Sequence, residues 1–331
     1  MTMFNWIKVG LLVSVAVGAT SERITRDRVR KEWKAPGALV DIGNNRKLQM
    51  DCRGTGSPTV VLESGLNAYG SLSWALVHDS IAATARVCAY SRAGLMWSDA
   101  PKRKFDSRET ARDLHAALMA NGEKGPWVMV GHSIGAAYAT TFVQQYGAEV
   151  GGIVLIDPSH PDQFSRYRDV TGKSLEPSAA VLRIGAKLSW TGLLRFVPAG
   201  KSPAPWPVEN DAMAADFVPT SVKALAGEAG AVGATLARAG EQRTFGNRPL
   251  IVLTAGNEQP AEQLAMMKLT PEHGRLLLEV TKSLHREQAS WSARGRNDVV
   301  PGADHYIQFT RPAAVIAAVR EVVGAVAAGG R

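Results

Sequence analysis

The chain has 331 residues, of which 45% are hydrophobic and 21% charged, as in an ordinary globular protein with one large core or two smaller ones. Its formal net charge is +8. This positive charge is dispersed, with no basic stripe carrying interleaved aromatic residues, which argues against a nucleic-acid-binding protein. The two cysteines fit no metal-ligand spacing, and we expect neither a metal nor a cofactor.

The N-terminal segment indicates export or attachment to a membrane. Lys8 precedes an apolar run, residues 9–19, that ends in small residues suited to cleavage near Ala19, so residues 1–20 resemble a signal peptide. The same segment could serve as an uncleaved anchor, followed by a basic linker at 21–37. We therefore expect a periplasmic, secreted or membrane-anchored protein and leave this choice open.

The next elements alternate between short apolar strands and helices. Strands are predicted at residues 38–42, 46–52, 59–63, 86–90, 127–130, 152–156 and 250–254, with a weak last strand near 298–300. Helices are predicted at residues 72–83, after Asp106, after Gly135, and from Pro312 to about Ala327. This alternation predicts an α/β protein with a mostly parallel, eight-stranded sheet and helices on both faces.

Residues 159–247 interrupt the alternation. They contain helical patches and a proline-rich stretch, Pro203–Pro207. We interpret them as a helical cap over the C-terminal edge of the sheet, where open α/β sheets bind their ligands. The core then comprises residues 38–158 and 248–328.

A candidate nucleophile lies in the motif G-x-S-x-G at Gly131–Gly135. The apolar run Trp127–Val130 predicts a strand before it, and a helical pattern begins at Ala136. A serine on such a sharp strand-to-helix turn presents its hydroxyl, and a Cβ two residues to either side would clash there, which explains both glycines. The context predicts Ser133 as a nucleophile, the alternative being a plain tight turn.

With this motif, the strand pattern and the late insertion, residues 38–325 resemble the α/β-hydrolase fold family, in its capped serine-hydrolase, esterase-like branch. The matching segments are Gly131–Gly135, Ser64–Leu66, Tyr90–Ser98, Asp157–His160 and Ala303–Tyr306. The chain departs from the family pattern by having Ser64 in place of histidine, Ser91 in place of aspartate, and Met96 and Asp304 in place of glycine.

The resemblance implies a base and an acid that act with the serine. Of seven histidines, His305 follows the last strand and precedes the terminal helix, in the Ser–acid–His order of this fold. For the acid, Asp157 ends a strongly predicted strand, whereas Glu258 lies in a looser turn after the next strand, where family members often carry it. We favour Asp157 and keep Glu258 as the alternative.

The resemblance also implies an oxyanion hole formed by the backbone N–H groups of Ile134 and Leu66. Six large side chains could line an acyl pocket, although core packing is the favoured role for each of them: Trp74, Met96, Trp97, Trp190, Phe196 and Trp206. The family sheet order places the second strand beside the fourth, so a disulfide between Cys52 and Cys88 and two buried thiols are both open.

These expectations point to a serine hydrolase that cleaves carboxylic esters of a small apolar acyl substrate through an acyl-enzyme. Lipase, thioesterase, amidase and carbon–carbon hydrolase chemistry share the same residues. Serine at position 133 argues against the epoxide hydrolases and haloalkane dehalogenases of this fold, which carry aspartate there. A non-catalytic binding module on the same scaffold is the rival, because fold alone does not imply function. A membrane tether through the N-terminal segment is the one macromolecular contact we expect.

Overall fold

The computed structural model describes residues 3–197 and 206–329, so part of the proline-rich stretch Pro203–Pro207 and the first two residues lie outside the described residues. The described strands are β1 (Ala38–Asp41), β2 (Lys47–Arg53), β3 (Thr59–Glu63), β4 (Val87–Tyr90), β5 (Trp127–His132), β6 (Val150–Ile156), β7 (Gly246–Ala255) and β8 (Ser292–Val300). They form one sheet in the order β1-β2-β4-β3-β5-β6-β7-β8. β2 is antiparallel to both of its neighbours and the other pairs are parallel, which confirms the predicted sheet.

Helices cover both faces of this sheet. They are α1 (Met3–Glu32), α2 (His78–Ala82), α3 (Ser107–Ala120), α4 (Gly135–Tyr146), α5 (Gln163–Thr171), α6 (Ala180–Leu188), α7 (Val208–Gly230), α8 (Val232–Ala239), α9 (Ala261–Met266), α10 (Pro271–Ala289), α11 (Ile307–Thr310) and α12 (Pro312–Gly329). One core packs α3 and α4 on the sheet, and the other packs α2 and α12 on the opposite face. Because both faces are covered, the central strands are buried along their whole length.

Individual elements differ from the sequence expectations where local signals are weak. The last strand, β8, is nine residues long, whereas the sequence predicted only a short weak segment. The sequence signal was weak because β8 is an edge strand with one solvated face, so many of its residues are polar. The predicted helix at 72–83 is a 3₁₀ turn, Gly70–Trp74, followed by the short α2. The nineteen-residue α10 was expected from the sequence only as a polar helical segment around His285.

The segment between β6 and β7 carries α5 to α8 and a 3₁₀ turn at Leu193–Phe196, with no strand among its described residues. α1 runs without a break through residues 3–32, across the boundary between the predicted leader and linker. By length and composition, α12 is long and apolar enough to cross a membrane. One side of it packs into the sheet core through Val315, Val319 and Val322.

Cys52 and Cys88 lie directly opposite each other on β2 and β4 and are joined by a disulfide. The sheet order predicted this proximity, and the structure decides between the two open states. The bond fastens the antiparallel strand β2, which carries the edge strand β1 on its other side, to the parallel part of the sheet.

Candidate active site

The turn between β5 and α4 presents Ser133. Its backbone φ is +55°, in the left-handed region that non-glycine residues rarely adopt. A Cβ at Gly131 would lie 2.7 Å from the Cα of Ala136, and one at Gly135 would lie 2.4 Å from the carbonyl oxygen of Glu63. Neither position has room for a side chain, so the sharp turn needs both glycines, as the motif predicted.

His305 reaches this turn from the loop after β8. Its Nε2 lies 3.0 Å from the Oγ of Ser133, and its Nδ1 lies 2.6 Å from Oδ2 of Asp157. A carboxylate only accepts hydrogen bonds, so Nδ1 carries a proton and donates a hydrogen bond to Asp157. Nε2 is then the acceptor for the Ser133 hydroxyl.

Asp157 stands at the end of β6 with a φ of +40°. Its Oδ1 accepts a hydrogen bond of 2.8 Å from the backbone N–H of Ala255, and its own N–H donates to the carbonyl of Leu253. The turn is thus fastened to β7, which aims the carboxylate at His305. Glu258 is exposed on the rim of the same cavity, and within the described residues it makes no hydrogen bond with His305.

The contact between His305 and Asp157 shifts the pKa values of both side chains. Burial by itself lowers the pKa of His305, but the hydrogen bond and the negative charge of Asp157 outweigh it and raise that pKa above its ordinary value. Burial raises the pKa of Asp157, and the same hydrogen bond, His305 and the Ala255 N–H together bring it below its ordinary value. The carboxylate therefore remains ionised and stabilises a protonated imidazole.

Two backbone donors face the same cavity as Ser133. Leu66 and Ile134 both line it, and among the described residues their N–H groups donate to no protein acceptor. The loop that carries Leu66 is pressed against the turn, because a Cβ at Gly65 would lie 3.2 Å from the Cβ of Ser133. These N–H groups are available to an oxygen bound above Ser133.

The cavity over Ser133 has a volume of about 800 Å³. Its apolar and aromatic walls come from loops at the sheet edge, from the segment between β6 and β7, and from α10: Leu66, Tyr69, Phe164, Tyr167, Leu175, Val232, Leu277 and Tyr306. None of the six side chains considered from the sequence is among the cavity-lining residues. Trp74, Met96 and Trp97 are in the core, and Trp190 and Phe196 are exposed. Trp206 contacts Tyr69 with a tilted ring and Phe309 edge-on.

Two further histidines support the site without contacting Ser133. The buried His285 bonds to Thr254 Oγ1 at 2.8 Å and to the carbonyl of Pro158 at 2.9 Å, holding the turn that carries Asp157. The Nε2–H of His132 donates to the carbonyl of His305 at 2.9 Å. Burial and the nearby His305 lower the pKa of His132 to about 3, so it stays neutral. From the sequence we expected His285 only in a polar helical segment, because the residues around it give no sign that it is buried.

Asp304 explains one departure from the family pattern. Its carboxylate accepts a 2.8 Å hydrogen bond from the N–H of Tyr306 and a second one from Thr310. It thereby caps the turn that holds His305, a role that a glycine cannot fill.

A buried arginine joins the loop after β4 to the loop that carries Leu66. Arg92 bonds to Glu63 at 2.7 Å and to Glu228 at 2.8 Å, and all three side chains are at most 2% exposed. Its two terminal nitrogens also donate to the carbonyls of Ser64 and Gly65, at 2.6 and 2.8 Å. Burial lowers the pKa of Arg92, but the two carboxylates outweigh it and raise that pKa well above the usual value. Arg92 therefore stays charged and holds the loop in place.

Two groups of potential metal ligands occur in the described residues, and each has another partner. Cys52 and Cys88, near Glu123, are disulfide-bonded. In the group of His160, Asp162 and Glu287, Arg243 already bridges the two carboxylates at 2.7 and 2.9 Å. Neither group adjoins Ser133.

A serine turn after the fifth strand of a mostly parallel sheet, with an antiparallel second strand, defines the α/β-hydrolase class of fold. The model of the alpha/beta hydrolase fold family matches residues 58–192. The match and the sheet order together show that the chain has the α/β-hydrolase fold.

Two curated relatives match part of the chain. A probable transporter, efuK, of Hormonema carpetanum is 32% identical over 126 residues, covering 36% of this chain and 18% of that protein. The uncharacterized protein YbdG of Bacillus subtilis is 26% identical over 136 residues, covering 41% of this chain and 42% of that protein. The chain thus spans less than half the length of these relatives.

Solved structures match most of the chain at low identity. A putative epoxide hydrolase from Pseudomonas aeruginosa has a TM-score of 0.62 at 15% identity, covering 88% of this chain and 97% of that one. A thermophilic esterase from Thermogutta terrifontis has a TM-score of 0.57 at 17% identity, covering 87% and 97%. The enol-lactonase from Burkholderia xenovorans has a TM-score of 0.58 at 19% identity, covering 87% and 99%. At these identities the likeness extends to the fold alone.

Proposed function

We propose that the protein is a serine hydrolase that cleaves carboxylic ester bonds of small apolar substrates through an acyl-enzyme. The observation that carries this proposal is the continuous hydrogen-bonded chain from Ser133 Oγ through His305 to Asp157, with lengths of 3.0 and 2.6 Å. A serine hydroxyl is a weak nucleophile at neutral pH, and an adjacent oriented base is what activates it.

In the first half of the reaction, Ser133 Oγ attacks the ester carbonyl carbon while His305 Nε2 takes the hydroxyl proton. The carbonyl oxygen becomes an oxyanion, and the resulting imidazolium is stabilised by Asp157. The carbon–oxygen bond to the leaving alcohol then breaks, and His305 returns its proton to that alcohol. In the second half, His305 deprotonates a water molecule, which attacks the carbonyl carbon of the acyl-enzyme. The bond to Ser133 Oγ then breaks, His305 returns the proton to that oxygen, and the carboxylic acid leaves.

The oxyanion would be bound by the N–H groups of Ile134 and Leu66, which line the cavity beside Ser133. Donors of this kind stabilise charge that develops only in the transition state, and losing one typically costs on the order of 10²–10³-fold in rate. Arg92 supports this arrangement because it holds the carbonyls of Ser64 and Gly65, just before Leu66.

The cavity walls support an apolar acyl or alkyl group as the bound part of the substrate. Phe164, Leu175, Val232 and Leu277 line it, and a volume of about 800 Å³ lies within the usual range for small-molecule sites. Two of the structural neighbours are an esterase and an enol-lactonase, and both names describe hydrolysis of ester bonds. Linear and cyclic carboxylic esters are therefore the first substrates to test.

Another structural neighbour is a putative epoxide hydrolase, so the experiment must distinguish epoxide opening from ester cleavage. This chain has serine at position 133, and an acyl-enzyme needs a carbonyl that an epoxide lacks. We expect hydrolysis of p-nitrophenyl esters and no conversion of styrene oxide.

The test is the variant Ser133→Ala, with p-nitrophenyl acetate and butyrate as substrates. We expect kcat to fall on the order of 10⁵–10⁶-fold with an unchanged circular dichroism spectrum, because the nucleophile is lost without any packing change. Ser80→Ala, at an exposed serine far from the cavity, is the matched control and should retain full activity. Equal turnover by Ser133→Ala and the natural chain would refute the proposal.

A fluorophosphonate probe separates an activated serine from a binding module that kept only the scaffold. We expect one label per chain on Ser133, found by mass analysis of the peptide, and no label on the alanine variant. If the folded protein is not labelled and does not hydrolyse p-nitrophenyl esters of any acyl length, the non-catalytic binding module is favoured.

A further inference from the structure

A group of large apolar side chains is exposed at one end of the segment between β6 and β7. Its members lie on α6 and on the turn that follows it: Val181, Ile184, Leu188, Trp190, Leu193 and Phe196. Phe196 is 86% exposed and Val181 80%. We call these six residues the cap apolar patch. Soluble monomers rarely expose so many large apolar side chains together without a partner.

The patch arises from the amphipathic pattern of α6. Val181, Ile184 and Leu188 follow one another at helical spacing and form a single exposed stripe. The other side of α6 packs on α7, where a Cβ at Gly185 would lie 3.3 Å from Val222. The stripe therefore faces away from the core, and Arg183 and Lys187 are exposed beside it.

The patch is fastened to α1. A Cβ at Gly18 of α1 would lie 2.4 Å from the carbonyl oxygen of Thr191, so the helix and the turn touch there. Arg26 donates to the carbonyl of Ser189 at 2.6 Å. Glu22, only 2% exposed, pairs with Arg195 at 2.9 Å. α1 and the turn between Leu188 and Phe196 thus form one packed unit.

The sequence of α1 divides at this contact. Residues 9–19, before the contact, are apolar, and Val17 is 64% exposed. At about 1.5 Å per residue, the stretch from residue 3 to residue 19 is about 25 Å long, close to the thickness of bilayer hydrocarbon. Beyond the contact, the exposed basic side chains are Arg23, Arg28, Arg30, Lys31 and Lys34.

We propose that the cap apolar patch and α1 together bind the surface of an anionic phospholipid bilayer, with residues 3–19 inserted and the patch lying in the headgroup region. The surface of an anionic bilayer binds apolar side chains that are flanked by lysine and arginine. The basic residues of α1 and α6 meet the anionic headgroups. This contact would also turn the cavity towards the lipid, because Leu175 and Pro177, just before α6, line that cavity.

The first experiment measures partitioning of the full chain into vesicles by flotation, with phosphatidylcholine alone or with phosphatidylglycerol added at one part in four. We expect binding to both types, stronger to the anionic vesicles and weakened by salt. The double variant Ile184→Ser with Phe196→Ser should partition at least about tenfold less well than the natural chain. The control, Leu39→Ser with Met119→Ser, removes two half-exposed apolar side chains elsewhere on the surface and should partition normally.

The second experiment asks whether the patch itself reaches the lipid. Because both native cysteines are disulfide-bonded, a single cysteine can carry an environment-sensitive fluorophore. At Ile184→Cys and Phe196→Cys the emission should shift to the blue when anionic vesicles are added. At Met119→Cys, on α3, it should not change.

Three results would overturn the proposal. The first is failure of the chain to float. The second is flotation in which the probes at positions 184 and 196 keep their emission, because α1 then binds alone. A blue shift that grows with protein concentration without vesicles would identify a second copy of the chain as the occupant. Ester hydrolysis in solution is read separately, so its loss leaves the membrane result unaffected.

Discussion

The carboxylate that meets His305 comes from the end of β6, and the acidic residue after β7 lies elsewhere on the cavity rim. Asp157 has one carbon fewer than Glu258 and is locked in place by the Ala255 N–H. A short side chain held by a second hydrogen bond loses little conformational entropy when it orients the imidazole. The turn at 256–260 gives Glu258 no comparable support within the described residues.

We expect Asp157→Asn to lower kcat by about 10⁴-fold, because an amide cannot hold the required tautomer or stabilise the imidazolium. Glu258→Gln is the matched control and should stay within a few-fold of the natural chain. Kinetics on p-nitrophenyl butyrate decide this. If the two variants exchanged these outcomes, Glu258 would be the acid.

The pH profile tests the same pair. Protonated His305 cannot accept the serine proton, so kcat/KM should fall as the pH drops through the pKa of His305, which Asp157 raises above about 6.5. In Asp157→Asn this support is lost, so the midpoint of the residual activity should move to lower pH. An unchanged midpoint would show that Asp157 does not set the charge of the base.

At the scale of elements, Arg92 connects β3, the loop after β4 and α7 through Glu63 and Glu228. The hydroxyl of Tyr90 donates to the second oxygen of Glu63. Burial raises the pKa of Glu63, against the influence of Arg92 and Tyr90. The cluster is satisfied as a whole, and removing one member leaves a buried carboxylate without a partner.

Arg92→Met should reduce the free energy of unfolding by about 3–5 kcal/mol, as expected when one partner of a buried ion pair is removed. Urea denaturation measures this, and Arg103→Met, whose side chain is 82% exposed, should change it by less than about 0.5 kcal/mol. Any folded Arg92→Met should also lose more in kcat than in KM, because the loop carrying Leu66 is no longer held. Equal stability of the two variants would contradict the role assigned to the cluster.

At the scale of the whole molecule, the disulfide closes a loop between positions 36 residues apart. Such a loop restricts the unfolded chain and stabilises the folded one by about 3–4 kcal/mol. We expect a reducing agent to lower the urea midpoint of the natural chain. The double variant Cys52→Ser with Cys88→Ser should start at the lower midpoint and not respond to the reductant. A natural chain that is equally stable with and without reductant would exclude this contribution.

The sheet, the turn after β5 and the position of Ser133 on that turn were predictable because each depends on local sequence. Apolar runs of strand length, the glycines around Ser133 and the histidine before the terminal helix carry signals that need no distant partner. Long polar elements were harder to predict: α10 and β8 form because they pack at the edge of the sheet, and their own composition does not mark them.

The sequence alone determined the α/β alternation and the strand–turn–helix that presents Ser133. Only the tertiary structure decided between Asp157 and Glu258 as the partner of His305, joined the two cysteines, placed the six aromatic and methionine side chains away from the cavity, and brought Arg92 under the loop at Leu66. These features depend on contacts between residues from 27 to 148 positions apart. A local pattern cannot specify such contacts, because they exist only once the strands have taken their order in the sheet.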